Sequence, residues 1–426
     1  MLLNYIFIGF IVIAFIVGII RTLGYFFRER LAEYGLYFAQ EDLLIFKTMA
    51  EASFDNAQSS ITIVLHLIGV MTLWLGILRV AEKAGVVDCL AKFIQPFFSK
   101  LFPDLPKGHK AYGSMIMNFS ANMLGLDNAA TPMGIKAMKD LEEENPKKGT
   151  ASRSQIMFLV LNTSGLTLIP VSVMALRAGA QASAPSEVFL PILLATYFAT
   201  VGGLIFVGIK QKINLLNPMV LSILGGLTAF IFGLILWLNQ QPDSFTEHFS
   251  SVVGNFILMA VIALFFYLGW RRKINVYNTF VDGAKEGFQI GVKIIPYLVA
   301  ILVAAGIFRA SGALDIPLKG IEYAAAAMGL NTDFVGALPT AFMKPLSGSG
   351  ARGMMLETMS NYGPDSFQGF LSSVFQGSTE TTFYTIAVYY GAVNIKNTRY
   401  TATAGLFADF TGIIAAIFIA YIFFTG

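Results

Sequence analysis

Charged residues are scarce in this chain of 426 residues: only 13% are Asp, Glu, Lys or Arg, and 55% are hydrophobic. Soluble proteins carry roughly 25% charged residues, so the scarcity excludes an ordinary soluble domain and indicates an integral membrane protein. The net charge is only +3 and the basic residues gather near the ends of apolar segments, which does not favour nucleic acid as a partner. The partner that the composition predicts is the lipid bilayer.

Cysteine and histidine are nearly absent as well. Cys89 is alone, which excludes an internal disulfide. His66, His109 and His248 are scattered, without the spacing of a metal site. The chain shows no Ser/His/Asp set, HExxH motif or pair of catalytic carboxylates. We therefore expect no metal, no other cofactor and no enzymatic activity.

Apolar runs near the roughly 20 residues needed to cross a bilayer recur along the chain. They lie at 2–20, 61–80, 155–178, 189–209, 218–238, 252–270, 288–308, 367–391 and 404–424. The first run ends in Arg21 without a small-residue cleavage pattern, so it is interpreted as a transmembrane helix and not as a signal peptide. The runs predict an all-α integral membrane protein with about nine transmembrane helices.

The distribution of Lys and Arg predicts the orientation. The stretch 79–153 is rich in both, whereas the loops 179–187 and 239–249 contain neither. We expect 79–153 and the N-terminus on the cytoplasmic side of a bacterial inner membrane, with the C-terminus outside. The mixed charges of residues 21–60 conflict with this count, and the side on which they lie is left open.

Two hydrophilic stretches interrupt the apolar pattern at matching places. They are Asn122-Met-Leu-Gly-Leu-Asp-Asn-Ala-Ala-Thr-Pro132 and Lys344-Pro-Leu-Ser-Gly-Ser-Gly-Ala-Arg-Gly353. Each is too short and too rich in Gly and Pro to cross as one helix, and broken backbone survives in lipid only beside protein or a wet cavity. We predict two re-entrant hairpins that enter from opposite faces and meet near the midplane.

The same order of elements occurs twice along the chain. A span, an amphipathic surface helix, a hairpin, a polar-centred span and a further span follow one another in both halves. Five predicted crossings separate the two starts, so the second copy would be inverted. The predicted domains are an N-terminal helix and interfacial segment (1–60), a first gate repeat (61–210), linking helices (211–275) and a second gate repeat (276–426).

The predicted spans 155–178 and 367–391 are polar at their centres. Residues 376–382 are seven consecutive polar or glycine positions, more than helix packing needs, and this favours a partly unwound segment beside a cavity. The candidate substrate-binding residues are Asn122, Asp127, Asn128, Asn162, Thr163 and Ser164 on one side, and Ser347, Ser349, Arg352, Gln376, Ser378, Thr379 and Glu380 on the other.

Inserting Glu380 into the membrane is unfavourable, because a charged side chain at mid-span costs about 2.5–3.5 kcal/mol on insertion scales. Glu380 and Asp127 are the candidates for carrying a coupling cation, Na+ or H+. The structural alternative for Glu380 is a buried ion pair with Arg352 or Lys344. Arg352 would hold a substrate carboxylate or pair with Glu380. Asp127 also fits simple capping of a helix.

Three further charges receive other interpretations. Arg177 and Arg309 are interpreted as interfacial side chains that reach for the headgroups. Asp409 lies in the last span with only Thr411 as a polar neighbour, and it receives no role.

The motifs resemble a known family. Residues from roughly 42 to 210 resemble bacterial spore maturation protein A, through the stretch ending at Pro132 and Leu161-Asn-Thr-Ser-Gly165. Residues from roughly 278 to 426 resemble spore maturation protein B, through the stretch starting at Lys344 and Gln376-Gly-Ser-Thr-Glu-Thr-Thr-Phe-Tyr384. Both are in the group with nucleoside-recognition, or gate, domains, which is related in pattern to concentrative nucleoside transporters. The resemblance implies a link to spore core dehydration and assigns no substrate.

The residues favour a secondary transporter for a small polar organic solute that is nucleoside-like, amino-acid-like or a carboxylate. Two alternatives stay open: a passive channel or facilitator with the same pore residues, and a membrane factor in envelope or spore maturation without transport. A homo-oligomer is compatible with either.

The predicted orientation can be tested with Lys147→Cys in a Cys89→Ser background. Because 79–153 is expected in the cytoplasm, an impermeant thiol reagent should label this cysteine only after the membrane is opened. Labelling of intact cells would contradict the orientation.

Overall fold

In this computed structural model the described residues are 2–106, 108–238, 240 and 243–424. They form helices and turns without a β-strand among them. The first helices are α1 (Leu2–Phe26), α2 (Arg28–Ala32), α3 (Gln40–Leu43), α4 (Ile45–Lys83), α5 (Val86–Leu101), α6 (Ala111–Met123), α7 (Asp127–Glu143), α8 (Arg153–Ser164), α9 (Val171–Gly179) and α10 (Phe189–Gln211). The others are α11 (Pro218–Leu238), α12 (Asp243–Arg271), α13 (Val276–Ala310), α14 (Asp315–Ala327), a 3₁₀ segment (Asp333–Ala337), α15 (Leu338–Met343), α16 (Gly348–Tyr362), α17 (Phe367–Gly377), α18 (Thr382–Gly391) and α19 (Thr401–Phe423).

Several of these helices are long and apolar enough to cross a membrane. Among the described residues four meet this criterion, in α1, α4, α10 and α19, and a fifth is formed if the end of α13 and α14, bent by 67°, count as one span. The chain is therefore a helical membrane protein, as its composition predicts. The predicted total of nine crossings stays a prediction.

A similar order of helices occurs twice along the chain. Helices α4 to α10 form one unit, and α13 to α19 form a second unit with the same succession of long helix, surface helix, helical hairpin, broken helix and final helix. The contacts between the units are reciprocal: α8 packs on α18 and α19, and α17 packs on α9 and α10. Such reciprocity is what a twofold relation between two copies produces.

Helices α4 and α13 pack along each other and form the scaffold of the two units. They have 39 and 35 residues, about 58 and 52 Å of helix at 1.5 Å per residue. Gly283 and Gly287 of α13 permit the contact, because the backbone carbonyls of Leu75 and Met71 occupy the space that a Cβ would need. Close approach at small residues is a usual basis of helix association in membranes.

Two loop contacts join the units at their ends. At one end the loop after α9 meets the loop before α17, where the backbone N–H of Ser183 donates to the Asp365 carboxylate at 3.0 Å. At the other end the loop before α8 meets the loop after α18, where the N–H of Ala151 donates to the Asn397 carbonyl at 2.9 Å. Each contact pairs one unit with the other.

Arg177 belongs to the first of these contacts, and its interpretation as an interfacial side chain is wrong. It is fully buried, it donates from Nη1 to the Pro364 carbonyl at 3.0 Å, and it lies 3.5 Å from Asp365 and 3.7 Å from Glu187. Arg309 is likewise paired within the protein, donating to Glu357 at 2.8 Å. Tertiary carboxylates, which sequence proximity does not reveal, hold both guanidinium groups.

The tight contact between α4 and α13 generates a prediction for Gly283→Ala. The added Cβ meets backbone that cannot turn aside, so the two helices must separate and the melting temperature should fall. Gly69→Ala in α4 is the matched control, because nothing lies within 4 Å of its added Cβ and Ala favours a helix by about 1 kcal/mol over Gly. Equal thermal stability of the two variants in detergent would contradict the packing argument.

Candidate functional site

Two broken helices occupy equivalent places in the two units. Helix α8 ends at Ser164 because Gly165 adopts the left-handed conformation (φ 57°), and α9 resumes at Val171. Helix α17 ends at Gly377, and α18 resumes at Thr382. Both breaks coincide with the polar centres that the sequence predicts to be unwound.

The two breaks are in direct contact. The backbone N–H of Glu380 donates to the carbonyl of Thr163 at 2.8 Å. Gly165 lies so close that a Cβ there would stand 2.9 Å from Cγ of Glu380. One unsatisfied backbone group at each helix break is thus satisfied by the other unit, which removes the cost of leaving it unpaired.

Each hairpin is bonded through its tip to the broken helix of its own unit. In the first unit the N–H of Leu168 donates to the Met123 carbonyl at 2.7 Å. In the second the N–H of Phe383 donates to the Pro345 carbonyl at 3.0 Å. The turns between α6 and α7 and between α15 and α16 thus lie within the two hydrophilic stretches, and the same type of contact positions both turns; re-entry into the membrane stays a prediction.

A cavity of about 830 Å³ lies between the hairpin tips and the breaks. This volume is in the range of small-molecule sites. The starts of four helices, α7, α9, α16 and α18, line it through Leu126, Pro170, Ser347 and Thr381. Helix N-termini present unpaired N–H groups and a positive partial charge. Among the described residues, the charged side chains of the lining are three basic and three acidic ones: Arg79, Lys344, Arg352, Glu82, Glu286 and Glu380.

Eight of the predicted site residues line this cavity. They are Asn122, Asn162, Ser347, Ser349, Arg352, Gln376, Thr379 and Glu380. The structure thus brings together side chains separated by up to 258 positions in the sequence, from Asn122 to Glu380. Their role as substrate ligands stays a prediction.

Three predicted residues lie behind the cavity wall. The hydroxyls of Thr163, Ser164 and Ser378 donate to carbonyls of their own helices, at 3.1, 3.2 and 2.9 Å. They are buried and are not among the described residues that line the cavity. The side chains of Asp127 and Asn128 lie outside the described part of the structure.

On the side of the first unit, Asn122 and Asn162 of the cavity wall belong to a hydrogen-bond network, in which Oδ1 of the buried Asn118 has no partner among the described residues. The Asn122 amide donates to Oδ1 of Asn162 at 2.8 Å, and the Asn162 amide donates to the Phe158 carbonyl at 2.9 Å. The Tyr389 hydroxyl lies 3.5 Å from the same Oδ1 and accepts from Asn118 at 3.1 Å. This network ties α6, α8 and α18 together. Sequence reasoning missed Tyr389, which stands in an apolar run without a polar signal.

On the side of the second unit, polar atoms remain without a hydrogen-bond partner. Gln376 is 3% exposed, yet its Oε1 accepts no bond, and Nε of Arg352 donates none. Burying such atoms without partners costs free energy. No ion pair joins Arg352 to Glu380 among the described residues, so the predicted pair between them is not formed. The two unpartnered atoms are one acceptor and one donor at the cavity wall.

Asp409 is a second residue that sequence reasoning passed over. It is 2% exposed, and its Oδ2 accepts from the Thr382 hydroxyl at 2.7 Å. Its polar neighbours lie in the break before α18 and not on its own helix. No local pattern in the sequence could have indicated them.

Comparisons with known proteins agree with this architecture. A family model described as nucleoside recognition (gate) matches residues 64–180 and 291–396. The chain is 44% identical over 155 residues to spore maturation protein A of Bacillus subtilis strain 168, covering 36% of this chain and 79% of that protein. It is 45% identical over 168 residues to spore maturation protein B of the same organism, covering 39% of this chain and 91% of that protein. No solved structure matches the chain. The resemblance predicted from the motifs is confirmed.

The difference between the two walls generates a prediction for Gln376→Met and Asn162→Leu. Gln376→Met removes an unsatisfied acceptor and should leave the melting temperature unchanged or raise it. Asn162→Leu is the corresponding change on the side of the first unit. It leaves Asn122 and Tyr389 without the oxygen that accepts their hydrogen bonds and should lower the free energy of unfolding by about 1–3 kcal/mol. Thermal unfolding in detergent measures both, and a larger loss of stability for Gln376→Met than for Asn162→Leu would contradict this difference between the two walls.

Proposed function

Because the chain belongs to the nucleoside-recognition gate family and its two units share one polar cavity, we propose that it is a membrane transporter that moves a small polar organic solute by alternating access. The observation that carries the proposal is the pair of broken helices in contact at that cavity. In a membrane, broken backbone is tolerated where it is buried in protein or lines a wet cavity. Paired discontinuous helices of repeated units are the usual construction of a transporter site.

The proposed topology follows from the repeat. Nine segments cross the bilayer: α1, α4, α8 with α9, α10, α11, α12, α13, α17 with α18, and α19. The hairpins α6–α7 and α15–α16 re-enter from opposite faces, and the second unit is inverted relative to the first. The protein would lie in the bacterial inner membrane, with the basic stretch 79–153 in the cytoplasm.

The unpartnered atoms of the second unit describe the solute. Arg352 offers a donor from a guanidinium group, which suits a carboxylate or another acceptor-rich group. Gln376 offers an acceptor, which suits a hydroxyl or N–H. The four helix starts add a positive potential to the same cavity. A solute with an acidic or acceptor-rich end and a hydrogen-bond donor, such as an amino acid, a hydroxy acid or a nucleoside, matches this combination.

The two loop contacts between the units provide the gates of this mechanism. One is formed by Ser183 and Asp365, and the other by Ala151 and Asn397. They lie at opposite ends of the broken helices, and we assign one to each face of the membrane. Opening them in turn would expose the cavity to one side at a time. A coupling ion, Na+ or H+, would be carried by a carboxylate at the site, and the sequence offers Glu380 and Asp127 as candidates.

The proposal is tested in two steps. Purified protein is first screened by thermal shift against nucleosides, amino acids and dicarboxylates, with and without sodium. A solute that binds the folded state at 100 times its Kd stabilises it by about 2.7 kcal/mol. Counterflow of the stabilising solute is then measured in proteoliposomes.

Cross-linked gates give the decisive result. In a Cys89→Ser background, Thr150→Cys with Asn397→Cys closes one end, and Ser183→Cys with Asp365→Cys closes the other. Either disulfide should stop saturable exchange, and a reducing agent should restore it, because each half-cycle needs the opposite gate to open. Exchange that persists through either disulfide, or flux that never saturates, would reject alternating access in favour of a passive pore. No stabilising solute and no flux would favour a membrane factor without transport.

A further inference from the structure

The carboxyl group of Asp409 is buried in α19 and only partly satisfied. Its Oδ2 accepts the Thr382 hydroxyl at 2.7 Å, whereas Oδ1 is buried without a hydrogen-bond partner. A carboxylate with an unsatisfied oxygen is costly in an apolar interior, and the neutral acid avoids most of that cost. Protonation at Oδ1 would therefore stabilise this buried carboxyl group.

Glycines on α19 hold this carboxyl against the break between α17 and α18. The position of a Cβ on Gly412 would be 2.9 Å from the Thr379 side chain, and on Gly405 it would be 2.6 Å from Thr382. Thr382 is the first residue of α18, and Thr379 lines the cavity. The charge of Asp409 thus acts directly on the segment that forms the wall of the proposed solute site.

Two other charged groups act on Asp409, one from each element beside the break. Lys344 lies at the tip of the second hairpin and Glu380 lies in the break. Loss of the charge on Asp409 would change the forces on both. The carboxyl therefore links its own protonation to the hairpin tip and to the broken helix.

The first unit shows that a charge is not needed to hold a break. There the N–H of Thr167 donates to the hydroxyl of Thr196 in α10 at 3.3 Å, so a neutral group of the final helix supports the break after α8. In the second unit a carboxyl takes this part, although a charge at mid-span is costly on insertion scales. A purely structural role does not account for that extra cost.

Building on the proposed function, we infer that Asp409 is the proton-binding site that couples transport to a proton gradient. A proton from the water on one side binds Oδ1, which neutralises the carboxylate and weakens its hold on Thr382. The break and the hairpin tip then change position together with the solute. After the opposite gate opens, the proton dissociates to water on the other side and the anion binds Thr382 again.

Infrared difference spectra of the purified protein between alkaline and acid pH test the proton site without any solute. The carbonyl stretch of a buried carboxylic acid should appear on acidification, shift in heavy water, and vanish in Asp409→Asn. It should remain in Asp88→Asn, which removes an exposed carboxylate, and in Glu380→Gln. A band that survives in Asp409→Asn, or that Glu380→Gln removes, would overturn the inference.

Thr382→Val provides a second variant if Asp409→Asn does not fold. It leaves the carboxyl in place and removes the hydroxyl that stabilises its anion, so the band should persist to higher pH; an unchanged midpoint would count against the site. If sodium chloride raises the melting temperature more than choline chloride does, and Asp409→Asn abolishes that difference, Asp409 binds sodium and the proton-binding inference is rejected. In proteoliposomes Asp409→Asn should keep solute exchange and lose accumulation driven by a proton gradient. Because the spectra need no transport, failure of the proton site and failure of the proposed function are distinguishable.

Discussion

One backbone hydrogen bond, from the N–H of Glu380 to the carbonyl of Thr163, joins the two broken helices, and the site is organised around it. A helix that stops inside a membrane leaves N–H and C=O groups that lipid cannot satisfy. Here each unit supplies what the other lacks. The cavity therefore lies where the units meet, and neither unit could form it alone.

The two units differ in how they use their polar residues. In the first, Asn122 and Asn162 bond to each other and to Tyr389 of the second unit, which fixes the positions of three helices. In the second, Gln376 and Arg352 keep atoms without partners. A hydrogen-bond network stabilises the fold, whereas unsatisfied buried atoms lower stability, and in the proposed function they are the atoms that a solute would pair with. In the proposed transporter the second unit would supply recognition of the solute, and the buried Asp409 lies in that unit.

Prediction from sequence was most successful where neighbouring residues by themselves rule out a continuous apolar helix. Seven polar or glycine positions in a row cannot remain a simple apolar helix, so the break near Gln376 and the hairpin near Ser347 could be located without coordinates. Prediction failed where partners are distant in sequence. Arg177 is paired with Asp365, and Asp409 is bonded to Thr382; no window of sequence contains either pair.

The sequence by itself determined that the chain is helical, lies in a membrane and contains two copies of one succession of elements, because hydropathy and helix-breaking residues act over distances of about 20 residues or fewer. Only the tertiary structure decided which polar side chains face the cavity. Thr163, Ser164 and Ser378 are as polar in sequence as Ser347 or Thr379, but their hydroxyls bond to their own helices. The reason is geometric: the direction of a side chain at a helix break depends on how the other unit crosses it, and that crossing is formed by residues more than 200 positions away.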